Sequence, residues 1–194
     1  MSRPELQAQR IDPVEPPYDA EIQARFDRIM PPGVPPLLLF RVLARDARLY
    51  QRLAAGSLLD PGHLSLRQRE LVIDRVTALC GSEYEWGVHV AFFGAKAGFS
   101  AAQLASLVHG DAADPCWSPE DSLLIEVVDS LDRQRDIGDA LWQRAQARFS
   151  DAAMMEIMML AGFYRSVSYL TKAMRLPLEP YAAGFPAAPS QAGG

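Results

Sequence analysis

The sequence contains few lysines, few cysteines and no long apolar run. Lys96 and Lys172 are the only lysines, and the remaining positive charge is arginine, scattered along a chain of net charge −5. This scatter leaves no basic patch of the kind that nucleic-acid-binding proteins carry. The most apolar segments, at 36–40 and 154–164, are too short or too interrupted to span a bilayer. We therefore expect neither nucleic acid nor a membrane as a partner.

The two cysteines and the isolated histidines limit the chemistry further. Cys80 and Cys116 are separated by a spacing that suits neither a CxxC redox pair nor a zinc site. His63 and His109 lie apart from other metal-ligand residues, so we expect no metal and no cofactor. The first residues are polar and lack the apolar stretch of a secretory signal. The sequence thus predicts a cytoplasmic protein with reduced thiols.

Helical signals extend over most of the chain, and no strand alternation is present. Capping boxes at Ser65–Gln68 and Ser100–Gln103 mark two helix starts, and Pro119 suits the first turn of another. We therefore predict an all-α fold. The predicted helices cover 19–29, 37–46, 47–59, 65–80, 82–97, 100–109, a long helix from 118, 138–148 and 151–173.

Proline and small residues define the two ends. Residues 1–18 carry four prolines, which block regular helix and predict an extended arm. Residues 181–194 are rich in Ala, Gly, Pro and Ser, which predicts a flexible tail. Between them we expect a single helical domain at 19–180.

The most informative stretch runs from Glu70 to His89, ELVIDRVTALCGSEYEWGVH. Its spacing resembles the active-site motif E-x11-C-x2-C-x3-H of alkyl hydroperoxidase D and the carboxymuconolactone decarboxylase superfamily. Ser82 and Glu85 stand where the motif has its two cysteines, so the dithiol reaction is not available to this chain. With Tyr84 beside Glu85, the pattern is similar to the cysteine-free, decarboxylase-like branch.

The resemblance implies a fold, an assembly and a set of catalytic residues. The fold would be the alkyl hydroperoxidase D-like helical bundle, and relatives assemble as trimers or hexamers, so we expect a homo-oligomer of that kind or a dimer. Glu70, Glu85 and His89 are the predicted catalytic residues. Two carboxylates and an imidazole can carry out acid–base chemistry if burial separates their pKa values. Glu70 or His89 would handle the proton, and Glu85 would shape a polar, partly buried pocket.

Ser82, Tyr84 and Trp86 are the predicted substrate-binding residues. Each also has a structural interpretation. Ser82 and Glu85 fit a capping box at the start of a helix, Trp86 fits a packing role, and His89 could be a core histidine bonded to Glu70.

Three functions remain open at this point. The first is a decarboxylase-like enzyme that acts on a small organic acid or lactone. The second is a thiol peroxidase that works through Cys80, although a helix C-terminus disfavours a thiolate. The third is a domain without catalysis, which binds a ligand or only assembles. The cluster Met154, Met155, Met158 and Met159 has helical spacing and predicts either core packing or a subunit interface.

Overall fold

Helices form all the regular structure in residues 8–188, the part of the chain that the computed structural model describes. The prediction of an all-α fold is confirmed. Residues 1–7 and 189–194, which hold the beginning of the predicted arm and the end of the predicted tail, lie outside the described residues. The helices are α1 (Ala20–Ile29), α2 (Leu38–Leu43), α3 (Ala47–Ala55), α4 (Leu66–Leu79), α5 (Glu83–His89), α6 (Ala95–Ala97), α7 (Ala101–His109), α8 (Pro119–Gln134), α9 (Asp139–Gln146) and α10 (Asp151–Ala173). None of these helices has the length and apolar character needed to cross a membrane.

Side-chain caps set the starts of α4 and α7. Ser65 accepts a hydrogen bond from the backbone N–H of Gln68, and the Gln68 side chain accepts one from the backbone N–H of Ser65. Ser100 and Gln103 make the same reciprocal pair. Each pair satisfies two N–H groups that have no partner within the helix itself. Both predicted capping boxes are confirmed.

Helix α4 lies at the centre of the main hydrophobic core. All residues from 70 to 77 are buried, and α4 packs against both α8 and α10. Because α4 is enclosed on every side, its polar residues Glu70, Asp74 and Arg75 are removed from water and depend on partners within the protein.

Arg75 is one of these buried polar residues, and it joins α4 to two neighbouring elements. Its guanidinium makes a bidentate ion pair with Asp129 of α8, at 2.6 and 2.8 Å. It also donates to the carbonyl oxygens of Leu107 (2.8 Å) and Gly110 (3.1 Å) at the end of α7. A single side chain thus neutralises a buried carboxylate and satisfies helix-terminal carbonyls that lack intrahelical partners.

A second hydrophobic core joins the first sixty residues to α5 and to the end of α10. Its buried members come from α1–α3 (Phe26, Leu39, Tyr50), from α5 (Tyr84, Val88) and from α10 (Val167). The described part of the N-terminal segment packs over this core through backbone hydrogen bonds. Arg10 N–H donates to Met174 and Val14 N–H to Arg41.

Residues 181–188 lie against α5 instead of forming the free start of a tail. The Phe185 ring contacts the Trp86 ring edge to face at 5.4 Å. The backbone N–H of Phe185 donates to the Glu83 side chain at 3.1 Å. Residues 181–188 thus have both an aromatic and a polar partner on the helix, and the flexible tail over 181–194 stays a prediction.

Gly87 of α5 allows this close approach, and replacing it tests the contact. A β-carbon at Gly87 would lie 2.4 Å from the carbonyl oxygen of Ala183. We expect Gly87→Ala to displace residues 181–188 and to raise the rate of chymotrypsin cleavage after Tyr181 several-fold, because cleavage follows local opening. The matched control is Gly138→Ala, where the added β-carbon meets open space. Equal cleavage rates in the two variants would contradict the prediction.

Candidate active site

A tight reversal at Gly81 folds α5 back along α4. Gly81 has φ of +65°, in the left-handed region that favours glycine. The N–H of Ser82 donates to the carbonyl of Thr77, and that of Gly81 to Ala78, both at 2.8 Å. This pair of bonds is the Schellman arrangement that commonly ends a helix. It places the side chains of α4 and α5 opposite each other.

Glu70 of α4 and His89 of α5 meet across this reversal. Glu70 Oε2 lies 2.8 Å from His89 Nδ1. On the other side of the ring, His89 Nε2 lies 3.5 Å from Glu85 Oε1. All three side chains are buried. We refer to Glu70, His89 and Glu85 as the triad.

The two carboxylates determine the protonation of His89. Burial by itself would lower the pKa of His89, but the hydrogen bonds and negative charges of Glu70 and Glu85 outweigh it and raise the pKa to about 10. The ring therefore carries a proton on both nitrogens at neutral pH. Nδ1–H points to Glu70, and Nε2–H is directed towards Glu85. In this resting state His89 is a proton donor.

Arg69 fixes the far end of the triad. Its Nε donates to Glu70 Oε1 at 2.8 Å, and its Nη1 donates to the carbonyl of Leu59 at 2.9 Å. The guanidinium also lies over the Phe93 ring, 5.2 Å from its centre. Glu70 is thus held between Arg69 and His89, which orients the imidazole as a buried carboxylate does for other acid–base histidines.

A cavity of about 360 Å³ opens beside the triad. Its walls are mostly apolar and come from three parts of the chain, within 29–59, 88–93 and 163–167. Glu85, His89 and Lys96 are the charged residues of the lining. The expected polar pocket is therefore an apolar cavity with charge at a few positions, the usual composition of small-molecule sites.

Glu85 presents one free oxygen in this environment. Its Oε1 faces His89, whereas its Oε2 is buried and has no hydrogen-bond partner within the described part of the chain. An unpartnered carboxylate oxygen beside a cavity can accept a proton or a hydrogen bond from a bound molecule.

Comparison with protein families identifies the region that contains these groups. Residues 47–128, which include the whole triad, match the model of the carboxymuconolactone decarboxylase family. The resemblance predicted from the sequence is therefore confirmed over this region. A search of curated proteins found no match.

A solved structure agrees with the fold. It is an uncharacterized peroxidase-related protein from Silicibacter sp. TM1040, which is 19% identical to this chain with a TM-score of 0.77. The alignment covers 96% of this chain and 100% of that chain. The prediction of an alkyl hydroperoxidase D-like fold is confirmed.

Ser82 stands where the motif has its first cysteine, and its side chain turns away from the cavity. Ser82 Oγ lies 2.8 Å from Thr171 Oγ1 of α10, and its hydroxyl makes no capping bond to the backbone of α5. The predicted Ser82–Glu85 capping box is therefore wrong. Glu85 is directed to the charged ring of His89, and a bond to a charged group is stronger than a bond to a backbone N–H.

The other two predicted substrate-binding residues also lie outside the cavity lining. Tyr84 accepts a hydrogen bond from Leu39 N–H at 3.0 Å and donates to Glu179. Burial and the negative charge of Glu179 raise the pKa of Tyr84, which keeps its hydroxyl a donor. Trp86 packs against Phe185. Both residues join α5 to neighbouring segments, and their role in substrate binding stays a prediction.

Sequence reasoning missed two residues near the triad, Asp74 and Tyr164. The Tyr164 ring meets His89 edge to face at 4.9 Å and forms part of the cavity wall. No local signal connects it to the motif, because it comes from α10. Asp74 follows Glu70 by four residues on α4, so helical spacing placed both on one face. This spacing could have identified Asp74 as a neighbour of the predicted catalytic residue Glu70.

Asp74 is a buried acid without visible partners. Neither of its carboxyl oxygens has a hydrogen-bond partner among residues 8–188. Burial raises the pKa of Asp74 well above its ordinary value, the positive charge of His89 lowers it, and the negative charge of Glu70 raises it. Asp74 therefore favours its neutral form in the folded protein.

Replacing Asp74 by Asn is expected to stabilise the protein, and more so at high pH. Because its folded-state pKa is raised, the wild type loses stability as pH rises above the unfolded-state value of about 3.9. Asn cannot ionise in the unfolded state, so we expect a gain on the order of 1–3 kcal/mol near pH 8 and a smaller gain near pH 5. Urea unfolding at the two pH values measures the difference, with the exposed Asp27→Asn as control. An Asn variant no more stable than wild type near pH 8 would contradict this.

The cysteines lie apart from the triad. Cys80 sits at the carboxyl end of α4 and Cys116 before α8, and both thiols are free and partly buried. Neither belongs to the cavity lining. Within residues 8–188, no group of three or more His, Cys, Asp or Glu side chains is arranged to hold a metal ion.

Proposed function

We propose that this protein is an acid–base enzyme that acts on a small, largely apolar organic acid or lactone. The observation that carries the proposal is the position of His89, held between two carboxylates at the wall of an apolar cavity. A buried acid next to a free carboxylate oxygen provides a proton donor and a proton acceptor within one site.

In the proposed reaction, His89 protonates a carbon that is conjugated to a carbonyl group. When that carbon carries a carboxylate, its bond to the carboxylate breaks and carbon dioxide leaves. The electron pair of this bond moves into the conjugated carbonyl, and the carbon then takes the proton from His89 Nε2. Neutral His89 regains a proton from solvent through Glu85. Glu70 and Arg69 keep the ring oriented throughout.

The other two functions have less support. A peroxidase reaction would have to use the thiol of Cys80, which lies outside the cavity lining and at a helix end that disfavours a thiolate. Binding without catalysis would need the cavity but not the triad, so loss of the imidazole distinguishes it from catalysis.

Isotope exchange tests the proposal on many candidate substrates in parallel. The protein is incubated in D₂O with a panel of small lactones and unsaturated or keto acids, and mass spectrometry measures deuterium uptake and loss of carbon dioxide. His89→Gln should reduce any activity by at least about 10²-fold, the usual contribution of a general acid. His63→Gln, an exposed histidine, should keep it. A protein inactive on the whole panel, or equal activity in wild type and His89→Gln, would reject acid–base catalysis by the triad.

We also propose that the protein works as a homo-oligomer in which copies of α10 pack antiparallel. Met155, Met159, Gly162, Ser166 and Tyr169 are exposed at alternating spacings of four and three, the period of a coiled-coil seam. An antiparallel pair centred on the small Gly162 sets the methionine end of one copy against the tyrosine end of the other.

The charges at the two ends of α10 favour the same arrangement. Asp151 begins the helix and Lys172 lies in its last turn, so an antiparallel pair brings opposite charges and opposite helix-dipole ends together. Light scattering should give a mass above that of the monomer. Met159→Glu should lower this mass, and Leu49→Glu, at another exposed apolar residue, should not. A monomeric wild type would refute the proposal.

A further inference from the structure

We propose that the cavity binds a monocarboxylate with an apolar body, whose carboxylate lies at Lys96 and whose other end reaches the triad. This inference names the substrate class for the function proposed above and rests on it only in that respect. The carboxylate at Lys96 is a binding group, distinct from the carbonyl at which His89 acts, so for this substrate class the reaction is a proton transfer beside that carbonyl and no carbon dioxide leaves.

Lys96 is placed to receive a carboxylate. It is exposed, whereas the other charged residues of the cavity lining, Glu85 and His89, are buried, so Lys96 lies at the mouth and they lie deeper. It has no ion-pair partner in the described part of the chain, although most of the acidic side chains on α4 and α8 are paired with arginine or histidine. Its ammonium lies 5.7 Å from the centre of the Phe93 ring, a distance that allows cation–π attraction.

The helix that carries both groups sets the distance between them. Helix α5 continues into α6 through a π-helical segment, Val90–Gly94, and His89 and Lys96 are seven residues apart along this run, which corresponds to at most about 10 Å along its axis. Phe93 lies between them, with its ring 5.6 Å from the ring of His89. A bound molecule thus has an apolar surface to cover between a cation at the mouth and an acid inside.

The remaining charges allow one orientation only. Glu85 lines the cavity and has a buried carboxylate oxygen without a hydrogen-bond partner in the described residues, and a second anion beside it would be repelled in a medium of low dielectric constant. Lys96 at the mouth attracts the same anion and leaves it in contact with water. The carboxylate therefore stays outside while the apolar body displaces water from the walls formed within 29–59 and 163–167.

Octanoate and octanamide test the inference, because they share a shape and differ in charge. Isothermal titration at low ionic strength, near neutral pH, should show octanoate binding about three- to fivefold more tightly than octanamide, as expected for a partly exposed ion pair. Lys96→Gln should remove this preference, and Lys96→Arg should keep it. Lys172→Gln, which alters the other lysine of the chain, should also keep it.

Three results would overturn the inference. They are equal affinity of the wild type for both probes, a preference that survives in Lys96→Gln, and no binding of either probe. The measurement is made at equilibrium and needs no turnover. If binding shows a preference for octanoate that depends on Lys96 but isotope exchange fails, only the catalytic proposal is rejected. If isotope exchange succeeds but binding shows no such preference, only this inference is rejected.

Discussion

Replacing Arg75 by methionine is expected to lower the free energy of unfolding by about 3–5 kcal/mol, the usual cost of removing one partner from a buried ion pair. Methionine fills a similar volume but donates no hydrogen bond. Asp129 would keep its charge in the core with the exposed Arg133 as its remaining ion-pair partner, and the carbonyls of Leu107 and Gly110 would lose their donor. Chemical denaturation measures the loss.

Arg144→Met is the matched control for this experiment. Arg144 makes an equally regular bidentate pair with Glu126, at 2.8 and 2.9 Å, but its side chain is 57% exposed, against 4% for Arg75. Because water replaces the lost contacts, we expect no measurable change in the unfolding midpoint. Equal losses in the two variants would show that burial does not determine the strength of these pairs.

The wild type is expected to lose stability as pH rises from about 6.5 to about 10. The pKa of His89 is raised from 6.5 to about 10 in the folded protein. A raised pKa means that the folded state holds a proton that the unfolded state has released, so the stabilisation is complete below the unfolded-state pKa and disappears above the folded-state pKa. At about 1.4 kcal/mol per pKa unit, the loss is on the order of 3–5 kcal/mol.

The same titration of His89→Gln isolates the contribution of the histidine. Thermal or urea unfolding is followed at several pH values for both proteins, and the fall over this pH range should be much smaller in the variant. Contributions from all other groups are common to both proteins and cancel in the difference. Parallel curves would mean that the ring of His89 is not charged in the folded state.

The meeting of Glu70 with His89 could be predicted because its causes are local. Both residues lie on consecutive helices, and Gly81 with its neighbours gives a clear signal for a reversal between them. Helical periodicity then places the two side chains on facing surfaces. Little beyond twenty residues of sequence was needed.

The direction of Ser82 and the walls of the cavity could not be predicted in this way. A Ser-x-x-Glu pattern fits a capping box, but Thr171, which competes for the Ser82 hydroxyl, is 89 residues away in the chain. The cavity walls likewise come from α1–α3 and α10, whose positions depend on tertiary packing. Local sequence patterns indicate which hydrogen bonds a side chain can make, whereas long-range packing determines which of them form.

The triad and much of the cavity wall come from different parts of the chain, and this separation bears on how such a protein can evolve. The groups that we propose to move protons stand on the hairpin of α4 and α5, while much of the apolar wall comes from residues 29–59, a separate stretch of the chain. Mutations in that stretch can reshape the cavity while the acid, its carboxylates and Arg69 remain in place. The selectivity of the cavity can thus change through mutations in one part of the gene, with the α4–α5 hairpin inherited unaltered.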